Sequence, residues 1–220
     1  MTKLNVKKAA VLGAGVMGAQ IAAHLVNANV PVVLFDLPAK EGDKNGIVQK
    51  AIDALKKLEP APLGSKSRLK FIDAANYDDH LPLLAGCDLV IEAIAERTDW
   101  KNELYAKIAP HLAANAIVAS NTSGLSINGL AEALPVELRP RFCGIHFFNP
   151  PRYMHLVEII ATRSTAPATL DALETWLTSR LGKGVIRALD TPNFVANRIG
   201  VFSMLAAMHH TQAFGLGFDA

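Results

Sequence analysis

Three glycines near the amino terminus have the spacing of a loop that binds phosphate groups. Gly13, Gly15 and Gly18 directly follow a short apolar run and open a segment of helical period. At such a turn the first glycine permits a tight bend, the second lets the backbone approach a pyrophosphate, and the third lets the helix lie close to the strand. Free amides at the helix start can then bind the phosphate oxygens. The pattern predicts a dinucleotide site formed by Gly13, Gly15, Val16, Met17 and Gly18.

The acidic residue Asp36 indicates which dinucleotide binds. It ends the second apolar run, where a carboxylate can accept hydrogen bonds from the ribose hydroxyls of adenosine. The 2′-phosphate of NADP would be repelled by this charge, and the following Leu37-Pro38 supplies no arginine to compensate. We therefore expect NAD rather than NADP. The alternative is that the glycines only form a turn and that Asp36 caps a loop.

The second half of the chain carries polar residues within or just after apolar runs. Ser123 closes the sequence Ser-Asn-Thr-Ser after one run, and His146 and Glu158 belong to the two runs that follow. Ligands of open α/β sheets collect at strand ends, and an imidazole can take up or release a proton near neutral pH. Taken separately, these residues could instead be a helix cap, a hydrogen-bonded core histidine and a surface charge.

The apolar runs that must position these residues alternate with longer segments of helical period. This alternation is typical of strands joined by crossover helices, so the sequence predicts an α/β fold with a Rossmann-like, doubly wound and mostly parallel sheet. The predicted strands are Ala9–Leu12, Val32–Phe35, Leu69–Ile72, Leu89–Ala93, Ile117–Ala119, Phe142–His146, Leu156–Ile160 and Val185–Ala188. The predicted helices run from Gly15 to Ala28, Gly46 to Leu58, Trp100 to Ala109, Ile127 to Ala133 and Ala168 to Leu181.

A second domain is expected to begin near the carboxyl terminus. Asp190-Thr191-Pro192 combines helix-capping side chains with a proline that suits the first turn of a helix. A further helix is predicted to start near Asn193 and to run through Met204. We divide the chain into a dinucleotide-binding domain, residues 1–190, and the start of a helical carboxyl-terminal domain, residues 191–220. Because no packing partner for the last helix follows it, we expect a fragment of a longer protein.

Composition narrows the possible partners. A chain of 220 residues that is 50% hydrophobic, with a formal net charge of +2, can bury one sizeable core but lacks the concentrated positive charge that binds nucleic acid. Cys87 and Cys143 are too few for a disulfide framework and have no metal-ligand partners at close spacing. No apolar run reaches the roughly 20 residues that span a membrane. We expect no metal and no membrane span, and a cytoplasmic protein.

The motifs taken together resemble one enzyme family. After the glycine pattern come Ser-Asn-Thr-Ser at 120–123, His-Phe-Phe-Asn-Pro at 146–150, Val-Glu-Ile-Ile at 157–160, and Asp-Thr-Pro-Asn-Phe with Asn-Arg at 190–198. In this order they resemble the L-3-hydroxyacyl-CoA dehydrogenases, which pass a hydride from the C3 hydroxyl group of an acyl-CoA to NAD. The resemblance covers the chain from about Lys8 to at least Met208.

The resemblance implies roles for particular residues. It makes His146 the catalytic base and Glu158 the carboxylate that orients it, while Ser123 and Asn197 hydrogen-bond the substrate oxygens. Glu96 and Lys101 match family positions that contact the nicotinamide side of NAD. Without the resemblance, these two residues could equally be ordinary charges at an exposed helix start.

The resemblance also implies partners. In the family an acyl-CoA substrate binds in a cleft that a helical second domain closes, and this domain makes a homodimer contact. The sequences of Asn149–Tyr153 and Asn197–Phe202 are similar to the corresponding sequences of long bacterial proteins that carry a fused enoyl-CoA hydratase module. The match weakens between Asp36 and Leu69, where the family has a helical arm that helps to bind coenzyme A, and we name no coenzyme A ligand there.

Two other functions remain open at this stage. A dehydrogenase of small, free 3-hydroxy acids shares the glycine pattern, but such enzymes typically use a lysine base on a helical domain, which the pair His146 and Glu158 argues against. A non-catalytic NAD-sensing module would need only the region from Gly13 to Asp36 and would have no use for the later polar residues.

Overall fold

The central element of the fold is one eight-stranded sheet. We analysed a computed structural model, which describes residues 4–217. The strand order is β3-β2-β1-β4-β5-β6-β7-β8. The strands are β1 (Ala9–Leu12), β2 (Val32–Asp36), β3 (Ile72–Asn76), β4 (Leu89–Glu92), β5 (Ile117–Ser120), β6 (Phe142–Phe147), β7 (Leu156–Ala161) and β8 (Gly184–Ala188). The predicted Rossmann-like, mostly parallel sheet is confirmed.

Helices cover both faces of this sheet. They are α1 (Val16–Asn27), α2 (Gly46–Ala54), α3 (Thr98–Ile108), α4 (Ile127–Ala131), α5 (Pro167–Leu181) and α6 (Ala196–Ala213). Short 3₁₀ turns occupy Lys66–Phe71, Leu81–Gly86, Ala109–His111 and Arg139–Arg141. Within residues 4–217, no helix combines the length and apolar character needed to cross a membrane.

The central strand β1 explains why both faces are covered. Its Ala9 and Val11 pack into the hydrophobic cluster that includes α1, α2 and α5, whereas Ala10 and Leu12 pack into the cluster that includes α3 and α4. All four side chains are fully buried, as expected for a strand between two helical layers. β1 is parallel to both of its neighbours, β2 on one side and β4 on the other, and it is where the strand order changes direction, since β2 and β3 are added on one side and β4 to β8 on the other. Ligands of such sheets bind beyond the strand ends at this point.

The last two strands, β7 and β8, run antiparallel to the other six. β7 is antiparallel to β6, and β8 is parallel to β7. The segment from Phe148 to His155 that joins β6 to β7 contains no helix, and a parallel connection would need a crossover of about a dozen or more residues. The antiparallel register places His146 directly opposite Glu158.

The main error of the strand predictions concerns β3. We expected Leu69–Ile72, but residues Lys66–Phe71 form a 3₁₀ turn and the strand is Ile72–Asn76. The strand lies at the edge of the sheet and contains Asp73 and Asn76, residue types that are uncommon in strands. Pairing with β2, in which Val32 lies opposite Ile72, outweighs this local preference.

Two helices differ from their predicted bounds by three residues or more, and the others by one or two. α2 ends at Ala54 rather than near Leu58. α6 begins at Ala196 rather than near Asn193, because Asn193 and Phe194 have φ angles of 63° and 49°, which a right-handed helix cannot contain. α6 buries no side chain within the described part of the chain. The proposed domain boundary near residue 190 stays a prediction, and the last three residues of the second domain lie outside the described ones.

Candidate active site

The glycine loop lies between β1 and α1 and has no room for side chains at two of its positions. Gly13 has φ 104°, and a Cβ atom there would lie 2.7 Å from the carbonyl oxygen of Ala93. A Cβ atom at Gly18 would lie 1.8 Å from the carbonyl oxygen of Gly13. Only glycine therefore lets α1 pack this closely against the loop.

The remaining loop positions face open space. Beside Gly15 no atom lies within 4 Å of a Cβ position, and this residue caps α1 without a side-chain hydrogen bond. Val16 is 69% exposed and Met17 is half-buried. The first amides of α1 are thus left without side-chain acceptors from the cap residue, as a site for phosphate oxygens requires.

Asp36 lies beside this loop at the end of β2. Its Oδ2 atom accepts a hydrogen bond from the amide of Ala14 at 2.6 Å, and its Oδ1 atom accepts one from the amide of Leu37 at 2.7 Å. These two bonds fix the carboxylate next to the glycine loop. Asp36 and the glycine loop form one wall of a cleft of about 510 Å³ whose other wall includes Ala93–Ala95 and Trp100.

The cleft and its surroundings fit a dinucleotide. The loop supplies a close backbone approach, α1 supplies amides, and Asp36 supplies an acceptor for ribose hydroxyls. Tyr77 also lines the cleft, and burial, followed by the nearby carboxylates of Asp36 and Glu92, raises the pKa of its hydroxyl well above the ordinary value. This phenol therefore adds no further negative charge beside Asp36.

A buried histidine and carboxylate form the second part of the site. The register of β6 and β7 puts His146 and Glu158 on the same face, and the Nδ1 atom of His146 lies 2.8 Å from Oε2 of Glu158. Both side chains are buried. In the neutral imidazole, a proton on Nδ1 can be donated to this carboxylate, and the lone pair then lies on Nε2. The pair can therefore accept a proton at Nε2.

Most of the other contacts of this pair come from a segment that is distant in the chain, residues 194–196. The Oε1 atom of Glu158 accepts hydrogen bonds from the amides of Val195 at 3.0 Å and Ala196 at 2.8 Å. The rings of Phe148 and Phe194 lie 4.4 and 5.7 Å from the imidazole centroid. Asn197, which follows Ala196 on α6, is half-buried at this end of the helix.

Ser123 and Glu96 are joined to each other. Oε1 of Glu96 accepts a hydrogen bond from the amide of Ser123 at 2.5 Å, and Oε2 accepts one from the hydroxyl of Thr122 at 2.7 Å. The same loop is tied to β6, because Oδ1 of Asn121 accepts a hydrogen bond from the amide of Phe147 at 2.9 Å. The loop that carries Ser123 is therefore anchored beside the strand that carries His146.

Lys101 lies deeper than an exposed helix start would place it. Its side chain is 1% exposed, and its Nζ atom lies 2.5 Å from Oε1 of Glu92 and 3.8 Å from Oε2 of Glu96. The ordinary, solvated charge that we considered for this residue is therefore excluded by its burial. Its contact with the nicotinamide side of NAD stays a prediction.

Glu92 is a residue that the sequence analysis missed. Besides Lys101, it accepts hydrogen bonds from the hydroxyl groups of Tyr105 at 2.9 Å and Ser120 at 2.7 Å, and from the amide of Ile94 at 2.8 Å. Burial raises the pKa of Tyr105 well above its ordinary value, so its hydroxyl keeps the proton that it donates. The feature of the sequence that could have identified Glu92 is its position as a carboxylate at the end of the otherwise apolar strand β4.

The match to known proteins decides the family. The model of the 3-hydroxyacyl-CoA dehydrogenase NAD-binding domain matches residues 8–191. The chain belongs to this family. The family resemblance noted from the motifs is thereby confirmed, and NAD is the cofactor that the family domain binds.

Relatives of this 3-hydroxyacyl-CoA dehydrogenase domain differ in length. A Deinococcus radiodurans protein named as a 3-hydroxyacyl-CoA dehydrogenase is 43% identical over 97% of this chain and 62% of its own length. A Rickettsia felis protein named as a trifunctional enzyme of the fatty acid oxidation complex is 44% identical over 90% of this chain and 28% of its own. The chain thus spans less than two thirds of these relatives.

A solved structure is similar to the domain throughout. The (S)-3-hydroxybutyryl-CoA dehydrogenase of Ralstonia eutropha superposes with a TM-score of 0.79 at 30% identity, over 97% of this chain and 74% of that one.

Proposed function

We propose that this chain is the cofactor-binding and catalytic part of an enzyme that oxidises L-3-hydroxyacyl-CoA to 3-ketoacyl-CoA with NAD, as in fatty-acid β-oxidation. The observation that carries the proposal is the buried pair His146 and Glu158, at 2.8 Å, on the same sheet as a cleft that fits a dinucleotide. The names of the Deinococcus and Ralstonia proteins support the substrate class.

The residues would divide the reaction between them. NAD, when bound, supplies the acceptor for the hydride that leaves C3 of the substrate. As the C3–H bond breaks, Nε2 of His146 takes the proton of the hydroxyl group, so that the carbonyl forms without a charged oxygen. Glu158 holds the ring through Nδ1 and stabilises the imidazolium. In the reverse direction His146 returns the proton to the carbonyl oxygen.

Ser123 and Asn197 would hold the substrate. Their hydroxyl and amide groups can hydrogen-bond the substrate oxygens and keep C3 at a fixed distance from the hydride acceptor. Glu96 and Lys101 would contact the nicotinamide end of the cofactor. Support for these roles comes from the loop bonds between Glu96 and Ser123, and from the ion pair that holds Lys101 near Glu96.

The proposed setting of the enzyme follows from its relatives. We propose a helical second domain after residue 190 that closes the acyl-CoA cleft and supports a homodimer. The name of the Rickettsia protein supports a fused enoyl-CoA hydratase module. We also propose that the protein acts in the cytoplasm, where it binds neither nucleic acid nor a structural metal ion.

Substrate choice tests the function directly. The full-length protein and NADH should reduce acetoacetyl-CoA at a much higher kcat/KM than free acetoacetate, measured by loss of NADH absorbance. Faster turnover of the free acid would favour a dehydrogenase of small 3-hydroxy acids. Binding of NADH without turnover of either compound would favour an NAD-sensing module.

A further inference from the structure

The linker between β8 and α6 contains two residues in the left-handed region of the backbone. Asn193 has φ 63° and Phe194 has φ 49°. Asparagine adopts this conformation readily, but for a bulky residue it is an outlier that persists only where the surrounding structure holds it. Phe194 is 2% exposed, and its amide donates a hydrogen bond to the carbonyl of Thr191 at 2.9 Å. The bend is therefore a packed feature and not a solvent-exposed turn.

This bend contacts both members of the catalytic pair. The ring of Phe194 meets the imidazole of His146 edge to face, with 5.7 Å between centroids and an interplanar angle of 61°. The next two amides, of Val195 and Ala196, donate to Oε1 of Glu158. Oε2 of the same carboxylate is bonded to His146. A right-handed backbone at Phe194 would turn these two amides away from the carboxylate.

The linker is also fixed upstream of the bend. Asp190 accepts hydrogen bonds from the amides of Ile127 and Asn128 at 2.9 Å each, and from the hydroxyl of Ser126 at 2.8 Å. These bonds tie it to the start of α4. The five residues between Asp190 and Ala196 are thus held at one end by α4 and at the other by Glu158.

We propose that Phe194 is a positioning residue for the pair His146 and Glu158. Its left-handed backbone directs two amides to Glu158, and its ring limits the rotation of the imidazole. Ordinary apolar packing would need neither the strained backbone nor the two amide bonds. The inference rests on the proposed dehydrogenase function, because the geometry that Phe194 maintains is that of proton transfer at Nε2.

The first test removes the ring and keeps an apolar side chain. In the full-length protein, Phe194→Leu should lower kcat for acetoacetyl-CoA reduction about 10- to 100-fold, because small misplacement of a reacting group is costly. The dissociation constant for NADH should change less than about twofold, since the cofactor contacts lie at the glycine loop. Phe71→Leu, on the 3₁₀ turn that precedes β3, is the matched control and should change neither value.

A second test asks whether Phe194 acts through the pair. In a Glu158→Gln background, Phe194→Leu should reduce kcat far less than in the wild type, because the geometry it supports is already impaired. Multiplicative losses would overturn the inference, as would a full wild-type rate in Phe194→Leu. If that variant does not fold, Phe194→Gly replaces it, since glycine adopts the left-handed backbone without strain.

An NMR measurement separates this inference from the proposed function. The imidazole Nδ1 proton of His146 should exchange with water faster in both Phe194 variants than in the wild type. If the wild type shows no turnover, the proposed function fails and the exchange rates decide the inference. Unchanged exchange in both variants would then overturn it.

Discussion

At the scale of single residues, two carboxylates, Asp36 and Glu158, are held in place by hydrogen bonds at the two ends of the site. Both oxygens of Asp36 accept hydrogen bonds from backbone amides, one from Ala14 and one from Leu37, so the carboxylate is oriented before a ribose binds. Glu158 uses one oxygen for His146 and the other for two backbone amides. In both cases a buried or half-buried carboxylate is oriented by bonds from separate segments of the chain, so that one substitution tests one function.

The first prediction concerns cofactor choice at Asp36. Wild-type protein should bind NAD much more tightly than NADP, and Asp36→Ala should narrow the difference, because it removes both the ribose hydrogen bonds and the repulsion of a 2′-phosphate. Calorimetric titration with each cofactor measures this. Asp73→Ala, an exposed aspartate on β3, serves as the control and should leave both affinities unchanged. Equal affinities in the wild type would refute the prediction.

The second prediction concerns the proposed catalytic pair, His146 and Glu158. In the full-length enzyme, His146→Ala should lower kcat about 10²–10⁴-fold with little effect on NAD affinity. Glu158→Gln should also lower kcat, because an amide can hydrogen-bond the ring but cannot stabilise the imidazolium. The double variant should be little slower than His146→Ala, since the carboxylate acts through the imidazole. Steady-state kinetics that gave independent, multiplicative losses would contradict the paired mechanism.

At the scale of elements, two glycines of one loop should respond differently to the same change. Gly18→Ala places a methyl group against the carbonyl of Gly13, so α1 must shift, and we expect a loss of about 1–3 kcal/mol or more in the free energy of unfolding. Gly15→Ala meets open space and should fold normally, but it should weaken NAD binding, because its methyl group occupies the approach to the pyrophosphate. Urea unfolding and NAD titration of both variants would show this contrast, and equal stabilities would contradict it.

Asp190, in the linker to α6, should make the free energy of unfolding depend on pH in the acid range. Burial opposes ionisation of this side chain, but hydrogen bonds from the amides of Asn128 and Ile127 and the side chains of Ser126 and Asn128 outweigh it, and its pKa is lowered. Because the pKa of Asp190 is lower in the folded state than in the unfolded state, its ionised side chain stabilises the fold above the unfolded-state pKa of about 3.9. This stabilisation is lost as the pH falls through the folded-state pKa.

The expected difference can be measured by comparison with Asp190→Asn. Its free energy of unfolding should lie below that of the wild type by a constant amount above about pH 5, and the gap should shrink below about pH 4. Urea titrations across this range give both curves. A gap of constant size down to the acid limit of the folded protein would show that Asp190 acts without its charge.

At the scale of the whole molecule, α6 is a helix whose apolar side chains the described residues leave exposed. The helix buries no side chain, and its apolar residues Ile199, Phe202, Met204, Leu205 and Met208 are each more than half exposed. Large apolar surfaces of this kind are usually covered by a further part of the protein. The relatives are longer than this chain, which agrees with such a cover.

We therefore expect the 220-residue chain by itself to bind NAD but to turn over acyl-CoA slowly. The glycine loop, Asp36 and the pair His146 and Glu158 all lie within it, whereas the substrate cleft would lack one side. Comparison of kcat/KM for acetoacetyl-CoA with that of the full-length enzyme provides the measurement. Equal rates would show that the cleft does not need the second domain.

Local sequence signals were sufficient to predict most of the sheet and the positions of the glycine loop and Asp36 beside each other. The spacing of Gly13, Gly15 and Gly18 reports backbone constraints that act within one turn, and Asp36 follows from the end of the adjacent apolar run. Seven of the eight strands overlap their predicted positions by most of their length, because period and apolar content record burial directly. The predicted position of β3 was wrong, because the polar residues of this edge strand do not follow the apolar pattern and the strand forms by pairing with β2.

Tertiary structure alone decided how distant polar groups meet. That β7 runs antiparallel to β6, that Lys101 is buried against Glu92, and that the linker bends at Phe194 each depend on packing between segments far apart in sequence. Periodicity predicts that a position is buried, but it does not predict which group forms a hydrogen bond with a polar side chain at that position. The two partners are brought together only by the completed fold. The sequence by itself therefore determined the scaffold, the cofactor loop and the candidate residues, and the packed sheet determined their partners.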